Sequence, residues 1–335
     1  MSLARFVERL AQLPVVLLGV SLVVFLMITL TPGDPVEIML ADQRATAEQA
    51  ALLRHDLGLD RPVAERFLVF LGNALQGDFG ISFFHRRPVF DVIAERLPAT
   101  IELTLAALLL AVLVAVPLGV AAAVRRDSWL DRLLSAASLF GVSLPGFWFG
   151  ILLILLLSVQ LGLFPVGGRI PFGAEVDRLT GFLLIDTLAA GRPDAFLRAL
   201  SHLALPALTL GLPTAALLAR VIRSAMAEVL ASDYVLFAEA KGLARRRVLF
   251  VHALKNALIP AVTVLAIETG ALLGGNMIVE TVFGWPGLGR LVVESIFARN
   301  YPLVQAAVLL YAVTYVTLNF LADLLYAALN PKVRL

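Results

Sequence analysis

Residues Asp233–Thr263 read DYVLFAEAKGLARRRVLFVHALKNALIPAVT, a short acidic-to-basic stretch set between two of the most apolar segments of the chain. Ser232 or Asp233 can cap a helix of about two turns, and Gly242 is placed to end it. A second helical run begins near Ala244 and flows into apolar sequence. Arg245, Arg246 and Arg247 suit a lipid headgroup layer, where basic side chains snorkel and anchor. Anchoring does not account for a capped helix that carries Tyr234, Leu236, Phe237 and Ala240. An apolar patch facing water usually marks a protein interface.

The surroundings settle which water that is. Of 335 residues 60% are hydrophobic and only 16% are charged, and mean hydropathy is +0.90. Soluble domains run near 45–50% apolar and about 25% charged, so the composition is that of an integral membrane protein. A net charge of +2 gives no basis for nucleic-acid binding. The absence of cysteine excludes disulfides, thiolate metal sites and thiol catalysis.

About six windows reach the roughly 20 apolar residues that a bilayer crossing needs. They fall near residues 13–30, 101–124, 133–163, 199–218, 258–281 and 303–327. The first reads as a retained span, because no small-x-small cleavage site precedes TPGDP at Thr31–Pro35. With the N-terminus inside, about half of the 27 lysines and arginines fall in internal segments roughly half as long as the external ones. Both termini are then cytoplasmic, and the opening stretch lies in the cytoplasmic loop between spans four and five.

The external segment after span one is polar enough to fold in water. TAEQAALLRHDLGLD offers the cap residue Thr46, with Glu48 nearby and Gly58 as a stop. A second amphipathic helix runs from about Pro62 to Leu75. No internal repeat is evident, so the inverted symmetry of many carriers is not indicated.

Several blocks resemble the membrane subunits of bacterial ATP-binding-cassette importers of the dipeptide, oligopeptide and nickel class. They are TPGDP, LGLDRPV, GDFGIS, LPATIELT, GVSLPGFWFG, HLALPALTLGLP, VETVFGWPGLGRLVVESIFARNYPLVQ and LADLLYAALNPKVR, in that family's order. The family's cytoplasmic EAA loop is a helix, a glycine and a second helix. Ala238, Gly242, His252 and Leu254 fall on that pattern. Leu236 stands where the wider family has glutamate and Lys255 where it has proline, and in both respects the chain is similar to the peptide subgroup.

The resemblance implies an all-α membrane protein of six transmembrane helices with the type I importer permease fold. Residues 1–98 would form the first span and a helical extracytoplasmic cap. Residues 99–328 would form the permease core, with its coupling loop at about 231–257, and 329–335 a cytoplasmic tail. The implied partners are a second homologous permease subunit, two cytoplasmic ATPases and an extracytoplasmic substrate-binding protein, in the lipid of a bacterial inner membrane. Tyr234, Leu236, Phe237, Ala238, Gly242, His252 and Leu254 would couple the chain to an ATPase. ATP and magnesium would sit on the ATPases, and the chain would bind no cofactor. It has no GxxxxGK[ST] loop to cradle phosphates. Peptides are the implied cargo. Glutathione, nickel chelates and opine-like compounds are alternatives within the same architecture.

Other functional classes find little footing. The histidines His55, His85, His202 and His252 are scattered without helical metal-ligand spacing, so no metal site is expected. An intramembrane hydrolase would need a paired acid and base or a metal cluster at one depth, and no catalytic residue is assigned. A proton-coupled carrier would be expected to bring more spans and internal symmetry. Glu268 lies nearest the middle of a span. It can line the translocation path, with Asn276, or serve a helix–helix hydrogen bond. Trp285 and Pro286 in FGWPGLG mark an outer turn, read either as aromatic belt or as an outer gate. GALLGG, Gly270–Gly275, has spacing for close helix approach. The proline in SLPGFWFG predicts a kink or break in span three.

Overall fold

The computed structural model of the chain describes residues 3–30, 36, 40, 46–56, 58–171 and 176–329. The turn TPGDP and the tail 330–335 lie outside the described residues. Helix α1, Leu3–Leu30, is followed by α2, Ala47–Asp56, and α3, Val63–Leu75. Thr46 and Gln49 cap α2 reciprocally: Thr46 N donates to Gln49 Oε1 at 2.9 Å and Gln49 N to Thr46 Oγ1 at 3.3 Å. The box partner is therefore Gln49, the third residue after the cap, and not Glu48. Gly58 ends the turn after α2 with φ +64°. Helix α3 returns against α1, where Phe67 and Phe70 pack on Phe25 at ring-centroid distances of 5.3 and 5.8 Å.

Helix α4, Val89–Val124, is 36 residues long and runs unbroken across residues 98 and 99. At about 1.5 Å per residue it is about 54 Å long. It starts well before the apolar window at Ile101, because Val89, Val92 and Ile93 are buried against later helices. The third apolar window is two helices. Helix α5, Trp129–Ser143, stops before Pro145, and α6, Gly146–Leu153, restarts after it and passes into a π-helical turn, Ile154–Gln160. Proline removes a donor and disfavours helix in the residue before it, which explains the break.

Helix α7, Leu183–Ala189, leads to α8, Pro193–Leu230, with Pro193 at its first turn. Helix α9 is Asp233–Ala240. A helical turn Arg245–Arg247 and a π-helical segment Val248–Ala253 then lead into α10, Leu254–Gly275. Helix α11, Met277–Val282, α12, Leu288–Phe297, and α13, Tyr301–Leu329, complete the chain.

Four helical stretches among the described residues are long and apolar enough to cross a membrane: Val89–Val124, Pro193–Leu230, Arg245–Gly274 and Tyr301–Ala322. Gln12–Met27 and Gly146–Gln160 are shorter apolar stretches. The main packing is α4 on α8 and α10 on α13, with α8 also touching α5 and α10. Small residues allow this closeness in lipid. Ala111, Ala115, Ala122, Ala215, Ala219 and Ala257 share one buried cluster. A Cβ on Gly119 of α4 would stand 2.8 Å from the Ala219 carbonyl of α8. Within GALLGG, Gly270 lies against the Tyr315 ring of α13, whereas the Cβ position of Gly274 meets nothing within 4 Å.

Candidate functional site

The loop from α8 to α10 is built by its own backbone. Ser232 holds the cap position of α9 in extended conformation, yet its hydroxyl donates back to the Val229 carbonyl and not to the helix. The C-terminus is the better defined end. Gly242 has φ +77°, its N–H donates to Glu239 O at 2.8 Å, and Leu243 N–H reaches Ala238 O at 3.4 Å. Those two bonds form a Schellman motif, which satisfies carbonyls that the helix end would leave free. Its usual apolar contact is present, with Leu243 packed on the cluster of Val235, Ala238 and Val248.

That cluster divides α9 into two faces. Val235 and Ala238 are buried, while Tyr234, Leu236 and Phe237 are 45%, 51% and 61% exposed. Phe250 and Val251 of the π-helical segment are exposed as well. Lys241 Nζ sits 4.4 Å from the centroid of the Phe237 ring. Tyr234 Oη accepts from Asn256 Nδ2 at 2.7 Å and donates to the His252 carbonyl at 3.4 Å, which ties α9 to the next helix. Among the residues singled out in sequence, Tyr234, Leu236 and Phe237 therefore present an outward face. Ala238 belongs to the inner one. Leu254 packs, partly buried, on the main α4–α8 cluster, and His252 is half-buried. Asn256, Val235 and Val248 complete the loop without any mark in the sequence, since each acts through a contact made by folding. Just behind the loop, Arg223 of α8 makes an ion pair with the buried Asp131 of α5, its Nη2 2.7 Å from Oδ2. The Arg223 hydrogen bond outweighs burial and holds the Asp131 carboxyl below the usual carboxylate range.

Trp285 and Pro286 lie in a second construction. Trp285 is 1% exposed and its Nε1 donates to the Ala99 carbonyl at 2.8 Å. This is a core position joining α4, and a ring of the lipid interface would not be so covered. Glu280, fully buried, accepts from Thr100 Oγ1 at 2.7 Å and from Arg290 N at 3.0 Å, while Leu288 N donates to Thr100 Oγ1 at 2.8 Å. Thr100 and Glu280 thus cap α12 between them, from two other helices. A Cβ on Gly287 would stand 2.4 Å from both Glu280 oxygens, so glycine is required there. Nearby, buried Glu102 takes Arg169 Nη2 at 2.7 Å and Leu184 N at 2.8 Å, fixing the segment before α7. Burial works against the charge of Asp186 in the first turn of α7. Hydrogen bonds from Thr180 and Gly181 prevail, and its carboxyl lies below the usual range.

Glu268 is half-buried and has no hydrogen bond or ion pair among the described residues. Asn276 stands at the break between α10 and α11, buried, and its Nδ2 has no partner among the described residues. The ring nitrogens of His55, His85 and His202 bond Asp60, Ser82 and the Gly167 carbonyl respectively. No group of three or more histidines and carboxylates that could hold a metal occurs among the described residues.

A bundle of membrane-length helices with an exposed apolar face on one connecting helix defines the class of a multi-pass membrane protein. Residues 115–335 match the family described as the binding-protein-dependent transport system inner membrane component, and residues 3–104 match its N-terminal counterpart. The chain belongs to that family. It is 45% identical over 332 residues to the di/tripeptide transport system permease protein of Pseudomonas aeruginosa, covering 99% of each chain. It is 43% identical over 320 residues to the dipeptide transport system permease protein of Escherichia coli K12, covering 95% of this chain and 94% of the relative. The glutathione transport system permease protein of Escherichia coli K12 is 40% identical over 328 residues, covering 98% of each.

Proposed function

We propose that the chain is the permease subunit of an ATP-driven importer that moves peptides of the dipeptide or oligopeptide class across the bacterial inner membrane. It forms half of the translocation path beside a second homologous subunit. Two cytoplasmic ATPases hydrolyse ATP with magnesium, and an extracytoplasmic binding protein delivers the cargo. The chain itself is not a catalyst. Six crossings with both termini inside place the α9 loop in the cytoplasm and α2–α3 outside. The two shorter apolar stretches supply the first and third crossings.

The observation that carries this reading is the exposed Tyr234, Leu236 and Phe237 face on a helix whose opposite face is packed and whose end is locked by Gly242. A rigid apolar knob in water is suited to a cleft in a partner, and burying it links the partner's movement to the helices behind. Peptide cargo follows the di/tripeptide and dipeptide relatives, with glutathione as the second reading on its somewhat lower identity. Glu268, whose carboxyl has no partner among the described residues, is suited to line the path and meet a peptide ammonium when the path opens. Trp285 and Pro286 belong to the outer closure through their hold on α4.

The test is reconstitution with the ATPases and binding protein in vesicles. Labelled dipeptide should accumulate only with ATP, and the isolated chain should neither bind nor hydrolyse nucleotide. Glutathione uptake with no dipeptide uptake would transfer the cargo to the second reading. Micromolar nucleotide binding by the isolated chain would sink the permease reading.

A further inference from the structure

Helices α4 and α10–α11 run antiparallel, and two contacts about two turns apart fix their register. Thr100 bonds Glu280 at 2.7 Å. Eight residues further along α4 and eight residues back, Leu108 packs with Leu272 in one buried cluster. The same register sets Thr104 opposite Asn276, midway between those two contacts. Thr104 is 1% and Asn276 5% exposed, yet Thr104 Oγ1 and Asn276 Nδ2 both lack a hydrogen-bond partner among the described residues. Buried polar atoms without partners are rare, and each such group is costly. The register brackets the two at one level, one able to donate and the other to accept, and their lack of partners needs an explanation.

The geometry points to Thr104 and Asn276 as an interhelical latch, open in this conformation and closed by a direct Nδ2–H to Oγ1 hydrogen bond in the other conformation of the transport cycle. The backbone at Asn276 can make the movement. Its φ of −80° and ψ of 13° interrupt the helix between Gly275 and Met277, and the Cβ position of nearby Gly274 meets nothing within 4 Å. The turn outside the pair is pinned by Thr100, Glu280 and the start of α12. The turn inside is purely apolar and can slide without losing a directional bond. A small shift of α10 along α4 would then close or open the latch while the outer cap holds still. The shared burial keeps water from competing for the bond. Asn276 is a positioning residue in this account, acting on helix placement and not on the cargo.

The latch rests on the two-conformation importer proposed above, and its test separates the two. The chain has no cysteine, so Thr104→Cys with Asn276→Cys gives a clean pair in the complete complex. Oxidative cross-linking is compared without nucleotide and with a non-hydrolysable ATP analogue. Yield should differ clearly between the two states. Equal yield in both states, or none in either, overturns the latch. Bridging by a fixed water predicts equal yield. In parallel, Thr104→Val and Asn276→Leu should each reduce uptake about fivefold, the size of one net hydrogen bond. The double variant should lose no more than either single one, and Thr104→Ser should retain wild-type uptake. Additive losses, or a Ser variant as poor as Val, count against it. State-dependent cross-linking in a complex that imports no peptide would reject the cargo reading and leave the latch standing.

Discussion

Gly242→Val tests the coupling reading most directly, because its effect can be assigned to the backbone alone. Nothing lies within 4 Å of the position a Cβ would occupy, so the substitution meets no steric obstacle. What changes is the conformation. At φ +77° a residue with a Cβ is disfavoured by about 1 kcal/mol, and a β-branched one by up to about 2 kcal/mol. Relaxing that strain means giving up the Gly242 and Leu243 bonds to Glu239 and Ala238, each worth about 1 kcal/mol net. Either way about 2 kcal/mol is removed from the ordered end of α9, which lowers the population of the docked knob by about thirtyfold. Uptake in reconstituted vesicles should fall by at least about tenfold while ATP hydrolysis persists or the ATPases dissociate. Gly242→Asn is the control, since asparagine visits the left-handed region readily and should stay within about threefold of wild type. Normal uptake by the valine variant would refute the argument, as would an asparagine variant that is equally impaired.

Phe237→Ala should weaken co-purification of the ATPases by about 2 kcal/mol, the usual loss for an apolar anchor, and unchanged retention would remove Phe237 from the interface. Gly287→Ala drives a Cβ into the Glu280 carboxylate and should destabilise the chain by about 1–3 kcal/mol in a thermal unfolding assay. Gly72→Ala, with open space at its Cβ position, should do no harm in the same assay. For Asp131, a lowered folded-state pKa adds stability that is present above the unfolded value of about 3.9 and is lost as pH falls through the folded value. The stability difference between wild type and Asp131→Asn should therefore be flat from pH 7 to about 5 and shrink below about pH 4, and a slope between pH 6 and 8 would contradict the Arg223 pairing. Reporters fused after Asp127 or Arg246 should be cytoplasmic and those near Arg61 or Arg178 external, and cytoplasmic activity near Arg61 would remove the proposed topology.

What could be read in advance follows the range of the physics. The end of α9 was legible because a Schellman glycine is a local device, set by residues within six positions of one another. The break of span three was legible for the same reason, since Pro145 acts on its neighbours. Gln49 displaced Glu48 because capping depends on a one-residue offset that composition does not reveal. The capping of α12 was illegible for a different reason. Thr100 and Glu280 are 180 positions apart, and neither residue type alone says that together they cap a third helix. The same distance hid the role of Trp285. An aromatic next to an apolar window has the composition of a lipid-belt residue, and only the Ala99 carbonyl, 186 positions away, makes it a core residue. The π-helical turn at Val248–Ala253 also lacked a signal, because VLFVHA has no glycine or proline. Such insertions often sit at functional sites. Here the segment carries Phe250 and Val251 to the exposed side while Val248 stays under α9. A regular helix would turn these residues by a different angle, so the exposed apolar face of the loop is shaped by tertiary contacts acting on a helical sequence. The loop's existence is thus written locally, and the direction in which it points depends on the bundle behind it.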